Sequence, residues 1–206
     1  TRSFDAIELW GDKKWFHWVC KGAFNIDLLN NLRFCPTIHA EDTPFGIILF
    51  AKAKQIKLLN KQLYIYRIRA NSNCEYNMTQ DSPLLAYPPS LADIAFEFRN
   101  RINYRPYYYS YSSMYASLGL LDFMQTLQDN ALKDRIRLFI INFVEAAFED
   151  EKICHKNPRH TRELLKPLKP YMQKVRFSRK MGYYAPWLYR VLKKAQTIKN
   201  KIKSDC

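Results

Sequence analysis

His39-Ala40-Glu41-Asp42-Thr43-Pro44-Phe45, and further on Gln62-Leu63-Tyr64-Ile65-Tyr66-Arg67-Ile68-Arg69, decide how the first third of this chain is read. Threonine is a good N-cap and proline suits the first helical position. Thr43-Pro44 therefore predicts a helix start, with the helix running through Ile47, Ile48, Phe50 and Ala51 to about Lys54. The second stretch is strand-like, as is Gln55–Leu59 before it, and Asn60-Lys61 between them suits a tight connection. Working outward, Trp15–Cys20 is aromatic and β-prone, and Ile26–Leu32 reads as a short helix. Residues 1–75 thus read as mixed α/β.

Asn71–Pro89 holds Asn, Ser, Asp and prolines and is expected to be a loop. Beyond it the patterning is helical. Ser90 with Asp93 resembles a capping box opening a helix to about Ile102, and Pro106 is expected to begin a second helix to about Leu127. The clearest helix is the third: Leu132, Ile136, Phe139, Ile140, Phe143, Val144, Ala147 and Phe148 share one face. Further helices are expected at about 159–175, broken or kinked by Pro167 and Pro170, and at 184–203, with Gly182 between them. The expected architecture is an α/β portion over 1–75 and an all-α extension over 76–206, predominantly helical overall.

Glycine is scarce, at 5 of 206 residues, which argues against a turn-rich β fold and against a glycine-rich phosphate loop. The five cysteines are odd in number and widely spaced, with no CxxC pair, so neither a disulfide framework nor a zinc site is indicated, and a reducing compartment is expected. The formal net charge of +14 is uneven: residues 157–206 carry 14 Lys/Arg against 2 Asp/Glu, whereas residues 1–156 are nearly balanced. The chain opens on Thr1, not Met, and reads as the distal portion of a longer or processed chain.

Three groups of residues can carry chemistry. Glu41 and Asp42 lie at a loop–helix junction, where free N–H groups and the positive dipole end favour negative charge. A carboxylate held there suits a general base, although acids at a helix start are also commonplace. Arg67 and Arg69, two apart on an extended strand, project to the same side and make a receptor for a diphosphate or another anion, unless they are plain surface arginines. Trp15 and Trp18 could stack on sugar C–H surfaces, with His17 and Lys21 nearby, or pack in the core.

The order of these pieces resembles the distal half of the catalytic domain of family 2 glycosyltransferases, which have the GT-A fold. The residues that carry the resemblance are Trp18 with Lys21, Leu28 or Leu29, Phe34, then Glu41-Asp42, then Leu63-Tyr64-Ile65-Tyr66-Arg67-Ile68-Arg69-Ala70-Asn71-Ser72, within roughly residues 10–75. The resemblance implies an inverting transfer of a sugar from a nucleotide-diphosphate donor to a hydroxyl of a glycan or glycolipid. Asp42 would be the base and Glu41 would orient it or bind acceptor. Arg67, Arg69, His39, Trp18 and Lys21 would bind substrate or diphosphate. It also implies a divalent metal, Mn or Mg, held by an Asp-x-Asp motif that lies upstream of the matching region and does not occur in this chain. Its style is bacterial, and it suggests lipopolysaccharide or capsule assembly.

The tail points to a surface. Trp187, Leu188, Val191, Leu192, Ala195, Ile198 and Ile202 recur at helical spacing among Arg190, Lys193, Lys194, Lys199, Lys201 and Lys203. Residues 183–203 are expected to lie on an anionic membrane, giving a cytoplasmic protein attached peripherally to the inner face; a helix packed on the body with a solvated lysine face is the alternative. The rival for the whole chain is a non-catalytic helical module binding protein or nucleic acid, but no helix-turn-helix, zinc finger or RNP-like pattern appears, and no specific nucleic acid is expected. Residues 1–206 by themselves are expected to show no sugar transfer and little nucleotide binding; robust turnover in a donor-hydrolysis assay would overturn that expectation.

Overall fold

The computed structural model describes residues 2–18, 22–65, 89–98, 101–148 and 159–204. The chain is predominantly helical, with one small two-stranded sheet among these residues. In that sheet β1 (Ser3–Phe4) pairs antiparallel with β2 (Ile56–Lys57), Phe4 opposite Ile56. This differs from the strand pair expected within 55–69. The N-terminal strand takes the edge of β2, while Leu63, Tyr64 and Ile65 are exposed outside regular structure; residues 66–69 lie outside the described part.

Asp5 opens α1 (Ala6–Trp10) with a capping box: its carboxylate accepts the Glu8 N–H at 2.8 Å, and Glu8 accepts the Asp5 N–H at 3.1 Å. Gly11 ends the helix at φ +45°, a conformation that favours glycine. Residues 15–18 form no strand. Their side chains diverge onto different elements, so packing overrides β-propensity. The expected helix at 26–32 is a single 3₁₀ turn, Ile26–Leu28, capped by Asn25 and stopped where Asn30 and Asn31 turn left-handed.

Helix α2 (Asp42–Lys52) begins two residues before its expected first residue, Pro44. Pro44 still lies in the first turn, whose N–H groups need no helical partner. Thr43 does not cap: its hydroxyl lies 3.0 Å from His17 Nδ1.

A 3₁₀ turn at Pro89–Leu91 leads into α3 (Ala92–Phe98), followed by α4 (Arg101–Thr126) and α5 (Asn130–Ala147). Helix α4 starts before Pro106, which it absorbs near its N-terminal end. Asp129 caps α5 through the Leu132 N–H, and the three-residue connection folds α5 back along α4. The face expected of α5 is buried throughout: Ile136, Phe139, Ile140, Val144 and Ala147 are fully covered, and Leu132, Phe143 and Phe148 nearly so. Their neighbours from α4 include Tyr107, Met114 and Leu120.

Pro167 and Pro170 stop the next helix early. Helix α6 is only Thr161–Leu164, and a 3₁₀ turn follows at Lys169–Tyr171. Helix α7 (Phe177–Tyr184) contains Gly182 instead of ending at it. The break falls at Ala185, before Pro186 opens α8 (Pro186–Ser204).

One buried core draws on both sides of residue 75, from Trp10, Ile38, Ile47 and Ile56 to Leu91, Phe139, Leu168 and Tyr183. Polar side chains of α5 secure the N-terminal segment to it. Arg135 donates to the carbonyls of Trp10 and Lys13 and lies over the Phe139 ring. Asn142, one heptad on, donates to the Lys14 carbonyl at 2.9 Å and accepts from Lys174 at 2.7 Å.

Arg159 makes a second tie. Its guanidinium donates in a fork to both carboxylate oxygens of Asp93, at 2.8 and 2.9 Å, and also to the Ser90 carbonyl, while lying over the Tyr111 ring. Its N–H donates to the Tyr107 hydroxyl. Asp93 therefore serves Arg159, 66 residues away, where a capping-box role was expected. The fork holds the Asp93 carboxyl below its ordinary value. Burial pushes Tyr107 up to about 12.

Two expected outcomes follow from this geometry. Asp93 is held below its unfolded value of ~3.9, so its stabilisation is complete above that pH and lost as acid protonates the folded carboxyl. Asp93→Asn should cost ~1 kcal/mol at pH 7, a low figure because Asp93 is half exposed, and the difference from wild type should vanish in acid. For Tyr107, stability present below pH ~10 should drain as pH rises toward 12. Urea unfolding across pH reads both.

Glycine substitutions test the packing. A Cβ at Gly46 would lie 2.7 Å from Trp18 Cβ, whereas one at Gly119 meets nothing within 4 Å. Gly46→Ala should destabilise by ~1–3 kcal/mol, and Gly119→Ala should stabilise by ~0.5–1 kcal/mol; thermal unfolding that shifted both the same way would contradict the packing.

Candidate functional site

The acidic pair is positioned by a small aromatic cluster on α2. Phe45, four residues into the helix, lies between Trp18 (centroids 5.7 Å apart, 21° between planes) and Phe34 (4.1 Å, 16°), with Phe24 edge-on to both Trp18 and Phe45. Leu28, Leu29 and Leu32 pack against the same group, together with Leu49. Lys52, in the last turn of α2, donates to the Leu29 carbonyl at 3.2 Å. The loop between residues 22 and 40 is thus wrapped onto α2 by its side chains.

The loop enters α2 under strain. Thr37 and Ala40 both have left-handed backbones, at φ +66° and +55°. Neither is a residue type that favours that region, and each such residue costs on the order of 1–2 kcal/mol. Two hydrogen bonds hold the turn. The Thr43 N–H donates to the Ala40 carbonyl at 3.0 Å, and the His39 N–H donates to Ser112 Oγ at 2.8 Å. Ser112 in turn donates to the Tyr108 carbonyl of its own helix at 2.7 Å, so one buried hydroxyl on α4 locks the loop. The His39 ring leans on Tyr109, centroids 4.2 Å apart, with Tyr108 further off.

Asp42 is the first residue of α2 and is half-buried; Glu41 precedes it, exposed and making no side-chain cap. The structure therefore brings Glu41, Asp42 and His39 to one loop–helix junction, beside Tyr108, Tyr109 and Ser112 of α4. A half-buried carboxylate at the positive end of an 11-residue helix can accept a proton or a hydrogen bond from a ligand hydroxyl. The neighbouring tyrosines border the junction with aromatic rings.

The expected sugar-stacking role of Trp18 does not fit. Trp18 is only 9% exposed and is covered by Phe45, Gly46 and Phe24. Indole burial against α2 satisfies far more apolar surface than an open face would. Lys21, Arg67 and Arg69 lie outside the described residues. Among the described residues no three His, Cys, Asp or Glu side chains come together to hold a metal ion.

Sequence reasoning missed Ser112, Tyr108 and Tyr109. The run of tyrosines at 107–109 was visible, but nothing local ties it to a histidine some seventy residues earlier. It also missed the His17–Thr43 contact, because Thr43 reads as a cap. No protein-family model, no curated protein and no solved structure matches the chain.

Proposed function

We propose that this chain is the distal part of a GT-A-like, inverting glycosyltransferase domain acting on a nucleotide-diphosphate sugar. The observation that carries the reading is the ordered series Trp18, Leu28 or Leu29, Phe34, Glu41-Asp42 and the Leu63–Ser72 stretch. Its described members have a common physical purpose: Trp18, Leu28, Leu29 and Phe34 gather on α2 and hold its acidic N-terminus. The strained Ala40 immediately before that N-terminus supports the same reading, since such strain persists at sites whose surroundings over-determine it.

In this proposal Asp42 takes the proton from an acceptor hydroxyl while that oxygen bonds to the anomeric carbon. The bond from the anomeric carbon to the diphosphate oxygen breaks, and the nucleoside diphosphate leaves with inversion at carbon. Glu41 orients the acceptor, and His39 with Tyr109 forms one wall for it. Arg67 and Arg69 are assigned to the donor diphosphate or the acceptor through forked hydrogen bonds. A divalent metal would neutralise the leaving diphosphate, but the described residues do not form a cradle for one.

In the full-length gene product, Asp42→Asn should lower sugar transfer ~10²–10⁴-fold, with donor binding and thermal unfolding unchanged. Undiminished transfer by that variant would remove the assignment. Glu41→Gln should act more mildly and chiefly on acceptor KM.

A further inference from the structure

We propose that α8 docks the protein on an anionic lipid bilayer, lying flat on it with Trp187, Val191 and Ile198 inserted at the headgroup level. Helix α8 packs against α7, and it is fastened at its start by Tyr189, which is 4% exposed. From Arg190 to Ile198 every residue is exposed. The exposed set includes Val191 at 57%, Leu192 at 46% and Ile198 at 60%, with Trp187 at 65% at the base of the helix. Nothing polar explains why four large apolar side chains stand in water on one helix.

The face geometry supplies the reason. At ~100° per residue, Trp187, Val191, Ala195 and Ile198 fall within a sector of about 80°. Tyr189, the residue that faces the body, lies roughly 160° round from the middle of that sector. The apolar stripe is therefore directed away from the protein. Arg190 and Lys194 occupy the flank of the stripe beside Trp187. An apolar stripe bordered by cationic side chains, with tryptophan at one end, is complementary to acyl chains beneath anionic headgroups.

Charge selects the occupant. From residue 165 to 204 the chain carries 12 Lys/Arg and no Asp or Glu. A second copy seated on the stripe would bring one uncompensated basic segment against another. A nucleic acid would use the cations but leave Val191 and Ile198 uncovered. No helix among the described residues is long and apolar enough to cross a membrane. Attachment through α8 is therefore lateral, along a helix ~28 Å long.

The test is co-sedimentation of the full chain with vesicles of pure phosphatidylcholine and of phosphatidylcholine containing phosphatidylserine. The bound fraction should be high on the anionic vesicles, low on the neutral ones, and reduced by salt as each of several basic side chains loses its attraction. The exposed-site variant Val191→Asp/Ile198→Asp should lose at least ~10-fold in partitioning with its circular dichroism unchanged. Arg190→Glu/Lys194→Glu should lose the preference for anionic lipid. Trp187→Phe should abolish a blue shift of tryptophan emission on binding.

Equal, weak sedimentation with both vesicle types would overturn the proposal. So would binding indifferent to Val191→Asp/Ile198→Asp, which would mark plain charge adsorption. Concentration-dependent dimerisation removed by the same variant, without lipid binding, would assign the stripe to a second copy. Tight, salt-sensitive binding of random RNA without lipid binding would assign the flanks to nucleic acid. None of these readouts depends on sugar transfer.

Discussion

Burial of the apolar face of α5 is the interaction on which the rest of this structure depends. An isolated 18-residue helix is marginal in water, and most helical stability comes from a buried face. Here that face, from Leu132 to Phe148, is covered from several directions. Helix α4 lies along it, Trp10 meets Phe139 edge-on at 5.3 Å, Trp15 meets Phe143 at 5.1 Å, and Tyr183 meets Phe148 at 5.3 Å. Each fully buried large side chain contributes ~1.5–3 kcal/mol, so the N-terminal segment, the central hairpin and α7 share one source of stability.

The polar groups around this core decide orientation more than strength. Arg135 and Asn142 stand a heptad apart on α5 and hold the N-terminal chain by the carbonyls of Trp10, Lys13 and Lys14. Arg159 joins the start of α3 to α4 in the same manner. Such bonds matter because carbonyls and carboxylates left unpaired in a covered position would cost more than the bonds themselves add. Helix α2 itself packs on α4, where Ser112 receives the loop that carries His39, Glu41 and Asp42.

This arrangement ties the chemistry of the junction to hydrophobic packing. Trp18, Phe34 and Phe45 form an aromatic stack on α2, the helix whose first turn carries the acids. Trp18, which looks like a sugar-binding aromatic in the sequence, thus acts through α2. At the other end of the chain the packing stops short: Tyr189 is buried, whereas Val191, Leu192 and Ile198 beyond it are exposed.

The amino-acid sequence by itself determined which faces are apolar, where the acids meet a helix start, and that charge gathers in the tail. These are local properties, carried by the period of α5, by Glu41-Asp42 before Pro44, and by the lysines of 190–203. It also located most helices, since hydrophobic spacing and proline are read over a few residues. Only the tertiary structure decided what each face meets. Ser3–Phe4 pairs with Ile56–Lys57, two residues against two, too short for any local signal. Thr43 meets His17 across 26 residues, and Asp93 is forked to Arg159, 66 residues away. Trp18 is buried because Gly46 leaves room for it. Periodicity states that a surface must be covered; which distant residue covers it depends on how the whole chain fills space, and that is not written in any single stretch.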